Sequence, residues 1–153
     1  MLRRYKILAA YFCAGALAAC GSPSAALDFH PPQGWNAGPS IMGVVQLWID
    51  PRHSNSVVML MRVPASAANQ DQTLRDRYLQ KGHVVSDRQI KICGDHPARF
   101  SILEGSGKSG RMSRVELTNT VWNGTTYMAL YGFDLGQAPD RGAESAIKGL
   151  CPK

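Results

Sequence analysis

VELTNTVWNGTTYMALYGF, Val115 to Phe133, holds the sharpest local signal in the chain. Asn123-Gly124 at its centre tolerates positive φ at both positions, as a two-residue type I′ hairpin requires. The flanks are rich in β-branched and aromatic residues, so they read as antiparallel strands. Counting outward pairs Trp122 with Thr125, Thr120 with Tyr127 and Glu116 with Tyr131 on one face. The other face pairs Val121 with Thr126, Asn119 with Met128 and Leu117 with Leu130. Leu117, Met128 and Leu130 are then expected in the core. Trp122, Tyr127 and Tyr131 form an aromatic strip opposite, a candidate recognition surface, because aromatics with polar tips favour interfaces. The competing reading puts these rings under a helix on one sheet face.

Working outward, Gly43–Ile49 and Val57–Val63 are apolar, β-branched runs joined by Asp50-Pro51-Arg52-His53-Ser54-Asn55-Ser56, which is turn chemistry. Residues 66–81 contain helix formers with Asp71 and Asp76 early and Arg77 and Lys81 late, as the macrodipole favours. Ile90 and Ile92 alternate with polar residues in a strand running from His83 to Ile92. Cys93-Gly94-Asp95-His96-Pro97 turns it into a strand over Ala98–Glu104. Pro139 is expected in the first turn of a last helix, with Ala143, Ile147 and Leu150 on one face.

Before these elements, Arg3, Arg4 and Lys6 precede an uncharged run from Ile7 to Ala19, the basic and apolar regions of an export signal. Thirteen apolar residues are fewer than the roughly 20 a bilayer-spanning helix needs. Leu17-Ala18-Ala19-Cys20 resembles the lipobox of bacterial lipoprotein precursors. The resemblance implies lipid on the Cys20 thiol, cleavage before Cys20, acylation of the new amino group and attachment to a membrane. Gly21 after the cysteine implies an outer membrane, with the protein facing the periplasm. An ordinary secretory signal ending at an Ala-x-Ala site is the alternative.

Residues 1–19 are therefore expected to be a signal peptide, 20–33 a loose tether rich in small residues and proline, and 34–153 a single domain. Three of the 17 basic residues lie in the signal, leaving 14 against 11 acidic ones and a charge of about +3. A charge so small, without a Lys/Arg stripe, argues against nucleic acid as a partner. Cys13 leaves with the signal and Cys20 carries lipid, so Cys93 and Cys151 remain to pair in an oxidising compartment. A reactive or metal-binding thiol at Cys93 is the other reading.

No catalytic motif stands out. Gly107-Lys108-Ser109 echoes a phosphate loop, but Ile102 stands where the pattern needs glycine. No histidine pair has zinc-ligand spacing, so neither metal nor cofactor is expected. An anchored hydrolase or metal-dependent enzyme built on Asp95 and His96 is the alternative to a non-enzymatic role.

The element order, with Gly34-Trp35, Ile90-x-Ile92-Cys93-Gly94, Asn123-Gly124-x-x-Tyr127 and Ile147-x-x-Leu150-Cys151-Pro152, resembles the PsbP and DcrB-type fold. That resemblance implies an α+β sandwich: a central antiparallel sheet of about six strands with two helices packed on it. It also implies an accessory or binding role, here beside another envelope protein.

Overall fold

The computed structural model describes residues 27–64, 82–106 and 110–153. Among these, seven strands form one antiparallel sheet: β2 (Asn36–Ala37), β3 (Val45–Ile49), β4 (Val57–Pro64), β5 (Gly82–Ile92), β6 (His96–Ser106), β7 (Met112–Trp122) and β8 (Thr125–Asp134). Their order across the sheet is β2-β3-β4-β8-β7-β6-β5. A second, two-stranded sheet joins β1 (Leu27–Asp28) to β9 (Cys151–Pro152), and the helix α1 (Arg141–Lys148) lies between β8 and β9. No helix of the described residues is long and apolar enough to cross a membrane.

The six strands expected from sequence are all present, and β2 raises the main sheet to seven. The two-residue strands β1 and β2 are too short to carry a period, so sequence pattern could not show them. One helix is described rather than two; the helix expected over 66–81 lies outside the described residues. Residues 27–33, expected to belong to a tether, are in part packed: Leu27, Phe29 and Pro32 are buried. Leu27 pairs with Pro152, and Leu27 and Phe29 are both buried. Packed structure thus includes Leu27 and Phe29, ahead of Gly34, because two apolar side chains in a proline-rich stretch have a core to enter.

The β7–β8 register follows the Asn-Gly turn: Trp122 faces Thr125, Glu116 faces Tyr131 and Leu117 faces Leu130. Asn123 (φ 46°) and Gly124 (φ 71°) supply the left-handed pair. The weighting of the two faces differs from expectation. The larger core lies on the aromatic side, where Tyr127, Ala129, Tyr131 and Phe133 pack with Phe100, Leu60 and Trp48 under Ala143, Ile147 and Leu150. Leu117, Met128 and Val63 form a smaller cluster on the opposite face. Both faces are apolar along β8, so alternation alone could not tell which one the helix covers.

The start of α1 is set by Asp140, whose Oδ1 accepts the Ala143 N–H at 3.0 Å, while Pro139 stands just before this cap rather than in the first turn. Glu144 in the first turn and Lys148 in the last complement the helix dipole. Among the described residues strand β5 forms one edge of the sheet, with Val85 as an extra residue in its pairing with β6.

Candidate functional site

Cys93 and Cys151 form a disulfide with Cα atoms 5.4 Å apart, so neither is a free thiol or a metal ligand. The bridge fastens β9, and through it β1, to the β5–β6 turn. Asp95 and His96 do not converge. Asp95 turns outward and accepts from Lys91 Nζ at 2.8 Å, whereas His96 Nε2 lies 2.9 Å from Thr120 Oγ1, with its ring edge-on to Trp122. The other histidines pair locally: His53 with Asp50, His30 with Asp28 and His83 with Glu104. Among the described residues, no three such groups gather where a metal ion could sit. Gly107, Lys108 and Ser109 lie outside the described residues.

Tyr127 and Tyr131 are 4% and 0% exposed, so they are not a recognition surface. Tyr131 stacks on Phe133 at 4.6 Å and meets Trp35 edge-on, while Trp122 is half-buried against the same core. The reading that placed these rings beneath the helix is the one the structure shows, and α1 is the cover.

Sequence reasoning missed two buried carboxylates. Asp50 begins the β3–β4 turn, is 1% exposed, and accepts from the Arg52 backbone and guanidinium. His53 Nδ1 lies 3.0 Å from its other oxygen, and Arg52 also donates to Asp140, so the turn is clamped to the start of α1. Burial pushes the Asp50 carboxyl up, but the hydrogen bonds from Arg52 and His53 outweigh it and hold it at about 2, against an ordinary 3.8. An acid at the start of a turn, with Arg and His two and three positions on, is the signal that could have revealed this clamp.

Glu116 points under α1, is 4% exposed, and has no hydrogen-bond partner for Oε2. Burial raises its pKa, Glu144 raises it further, and Lys148 and Arg114 only partly offset this.

These acids have opposite pH signatures. The folded pKa of Asp50 is depressed, so its stabilisation is present above about pH 4 and lost as pH falls towards 2. At neutral pH this depression corresponds to about 2 kcal/mol, which Asp50→Asn is expected to remove. The folded pKa of Glu116 is raised, so stability falls as pH rises through its unfolded value towards its folded one. Glu116→Gln is therefore expected to match the native protein near pH 4 and to be the more stable of the two at pH 7. Urea unfolding at both pH values checks the pair. A Glu116→Gln protein weakened at neutral pH would contradict the assignment.

On the face opposite α1, Asp87, Gln89, Arg99, Asn119 and Val121 line a shallow cleft of about 530 Å³. Register places these side chains together, because Arg99 pairs with both Gln89 and Asn119. Arg99 Nε donates to Asp87 Oδ1 at 2.7 Å, and Ser101 Oγ donates to the same oxygen at 3.1 Å. The charged pair is thus satisfied within the protein, and the amides of Gln89 and Asn119 bring donors and acceptors to the surface.

No family model matches the chain, and no curated protein matches it. Several solved structures are similar, among them two of low sequence identity. A crystal structure from Bacteroides thetaiotaomicron VPI-5482, at 1.50 Å, superposes with a TM-score of 0.56 and 16% identity, covering 86% of this chain and 47% of the other. This chain therefore spans about half the length of that protein. The solution structure of cyanobacterial PsbP, CyanoP, from Synechocystis sp. PCC 6803 superposes with a TM-score of 0.52 and 13% identity over 87% of this chain and 90% of that one. At such identities the likeness is one of fold: this chain has a PsbP-like fold.

Proposed function

We propose that the protein is a lipid-anchored accessory protein of the bacterial envelope, held by Cys20 on the periplasmic face of an outer membrane, whose folded part binds another envelope protein. The observation that carries this reading is Leu17-Ala18-Ala19-Cys20, whose cysteine stands seven positions before Leu27, the first described residue and a buried one. So short a connection, at most about 25 Å when extended, keeps the domain close to its lipid. Three acyl chains would exceed the marginal hold of one, since each buried CH2 contributes about 0.8 kcal/mol. The binding surface in this reading is the cleft beside Gln89 and Asn119. Its paired charges and open amides suit the polar backbone of a peptide segment better than a free ion.

The test is made in cells with a photo-crosslinking residue at Gln89, with and without Cys20→Ser. The native protein is expected in the membrane fraction, cross-linked to one reproducible protein. Cys20→Ser should lose the lipidated species and leave that fraction. Unchanged membrane attachment in the serine variant would contradict the anchor, and an empty capture from anchored protein would contradict the binding role.

A further inference from the structure

The row Val45, Met61, Met128, Asn119, Arg99 and Gln89 runs straight across the sheet. Beyond it, at one end, lie three tight turns with the same backbone: Met42-Gly43, Cys93-Gly94 and Asn123-Gly124 each place two successive residues at positive φ. In two of them the first residue has an evident reason. Asparagine tolerates this region, and Cys93 is held by its disulfide. Methionine has neither reason and is unfavourable there.

Met42 is nonetheless 91% exposed, between Ile41 at 53% and Val44 at 38%. The loop is held firmly: Val44 N–H donates to Ile41 O at 2.9 Å, Ile41 N–H to Val45 O at 2.9 Å, and Arg62 N–H to Val44 O at 2.9 Å. From Pro31 to Ile49 the sequence contains no Asp, Glu, Lys or Arg. A braced, uncharged loop thus projects a large apolar side chain where a polar turn former would suit water better.

The position of the first described residues points to what covers this loop. Leu27 pairs with Pro152 and Asp28 with Cys151, whose disulfide to Cys93 ties them to that same end of the sheet. Seven residues from Cys20 to Leu27 reach at most about 25 Å, so a lipid on Cys20 brings this end to the bilayer. We infer that the Ile41-Met42-Gly43-Val44 turn dips into the lipid surface and, with the acyl anchor, fixes the domain with this end down. Exposed Arg62, next to the turn in the sheet, then lies at headgroup level, where a cation meets lipid phosphate.

This inference rests on the anchored reading, and the experiment separates the two. The full-length protein, purified as processed in cells, is placed in phosphatidylethanolamine–phosphatidylglycerol vesicles. It carries a nitroxide at Met42→Cys, at Val44→Cys as a second probe of the turn, or at Asn55→Cys at the far end. Mass spectrometry reads Cys20 acylation, and accessibility to oxygen and to an aqueous nickel chelate reads depth. The expected result is acylated protein whose labels at 42 and 44 lose nickel access on joining vesicles, while the label at 55 keeps it. Acylated, vesicle-bound protein with both turn labels open to nickel overturns the inference and leaves the anchor standing. Unacylated protein with shielded turn labels overturns the anchor and supports the inference. Unacylated protein that stays off the vesicles overturns both.

Discussion

Replacing Cys93 and Cys151 together by serine is expected to destabilise the fold by about 4 kcal/mol. The two residues are 58 apart in sequence, and on the chain-entropy model a closed loop of that length restricts the unfolded chain by about this much. The loss is large because of what the bridge fastens. β1 and β9 are two residues each, pair among the described residues only with one another, and bring Leu27 and Leu150 into the main core. Thermal unfolding followed by circular dichroism, with and without reductant, measures it. The native protein is expected to melt about 15 °C lower once reduced, at the temperature of the double-serine variant. A shift of only a degree or two would mean that β1, β9 and α1 hold their places without the bridge.

Tyr131→Ala is expected to cost a similar amount, about 4 kcal/mol, because it empties the centre of the larger core. The ring is fully buried between Trp35, Phe133 and Val58, its partner in register on β4. Its hydroxyl accepts the Asp140 N–H at 2.9 Å, so one side chain both fills the core and receives the residue that caps α1. Tyr131→Phe separates these roles: it keeps the volume, loses the acceptor, and is expected to cost about 1 kcal/mol. Denaturant melts of the two variants check the ratio. Near-equal losses would place the weight on the hydrogen bond rather than on packing.

Much of the sheet was legible because its strongest signals are local. Asn123-Gly124 permits few geometries, and from it the register of ten facing pairs followed by counting. Layer assignment was not local. Leu117, Met128 and Leu130 on one side and Tyr127 and Tyr131 on the other are equally apolar, and the choice between them belongs to Ala143 and Ile147, remote in sequence. Leu27 and Phe29 were hidden for a similar reason: two apolar residues among prolines carry no period, and their burial depends on β9 at the other end of the chain.

The pairing of Cys93 with Cys151 needed only cysteine counting and an assumed compartment. Asp50 and Glu116 were harder to read, because an acid's burial depends on what covers it. For Asp50 the cover is the Arg52 and His53 turn; for Glu116 it is α1. Asp95 and His96 show the reverse error, since adjacency in sequence suggested a joint site while strand pairing sends their side chains to Lys91 and Thr120.

The edge strand β5 bears on how two copies of this protein would meet. Eleven residues of an outer strand would ordinarily offer a template for a neighbour's strand. Val85, inserted out of register, twists the rim, and Asp87, Arg88 and Lys91 place charge along it. A rim so bulged and charged resists pairing with the strand edge of a second copy.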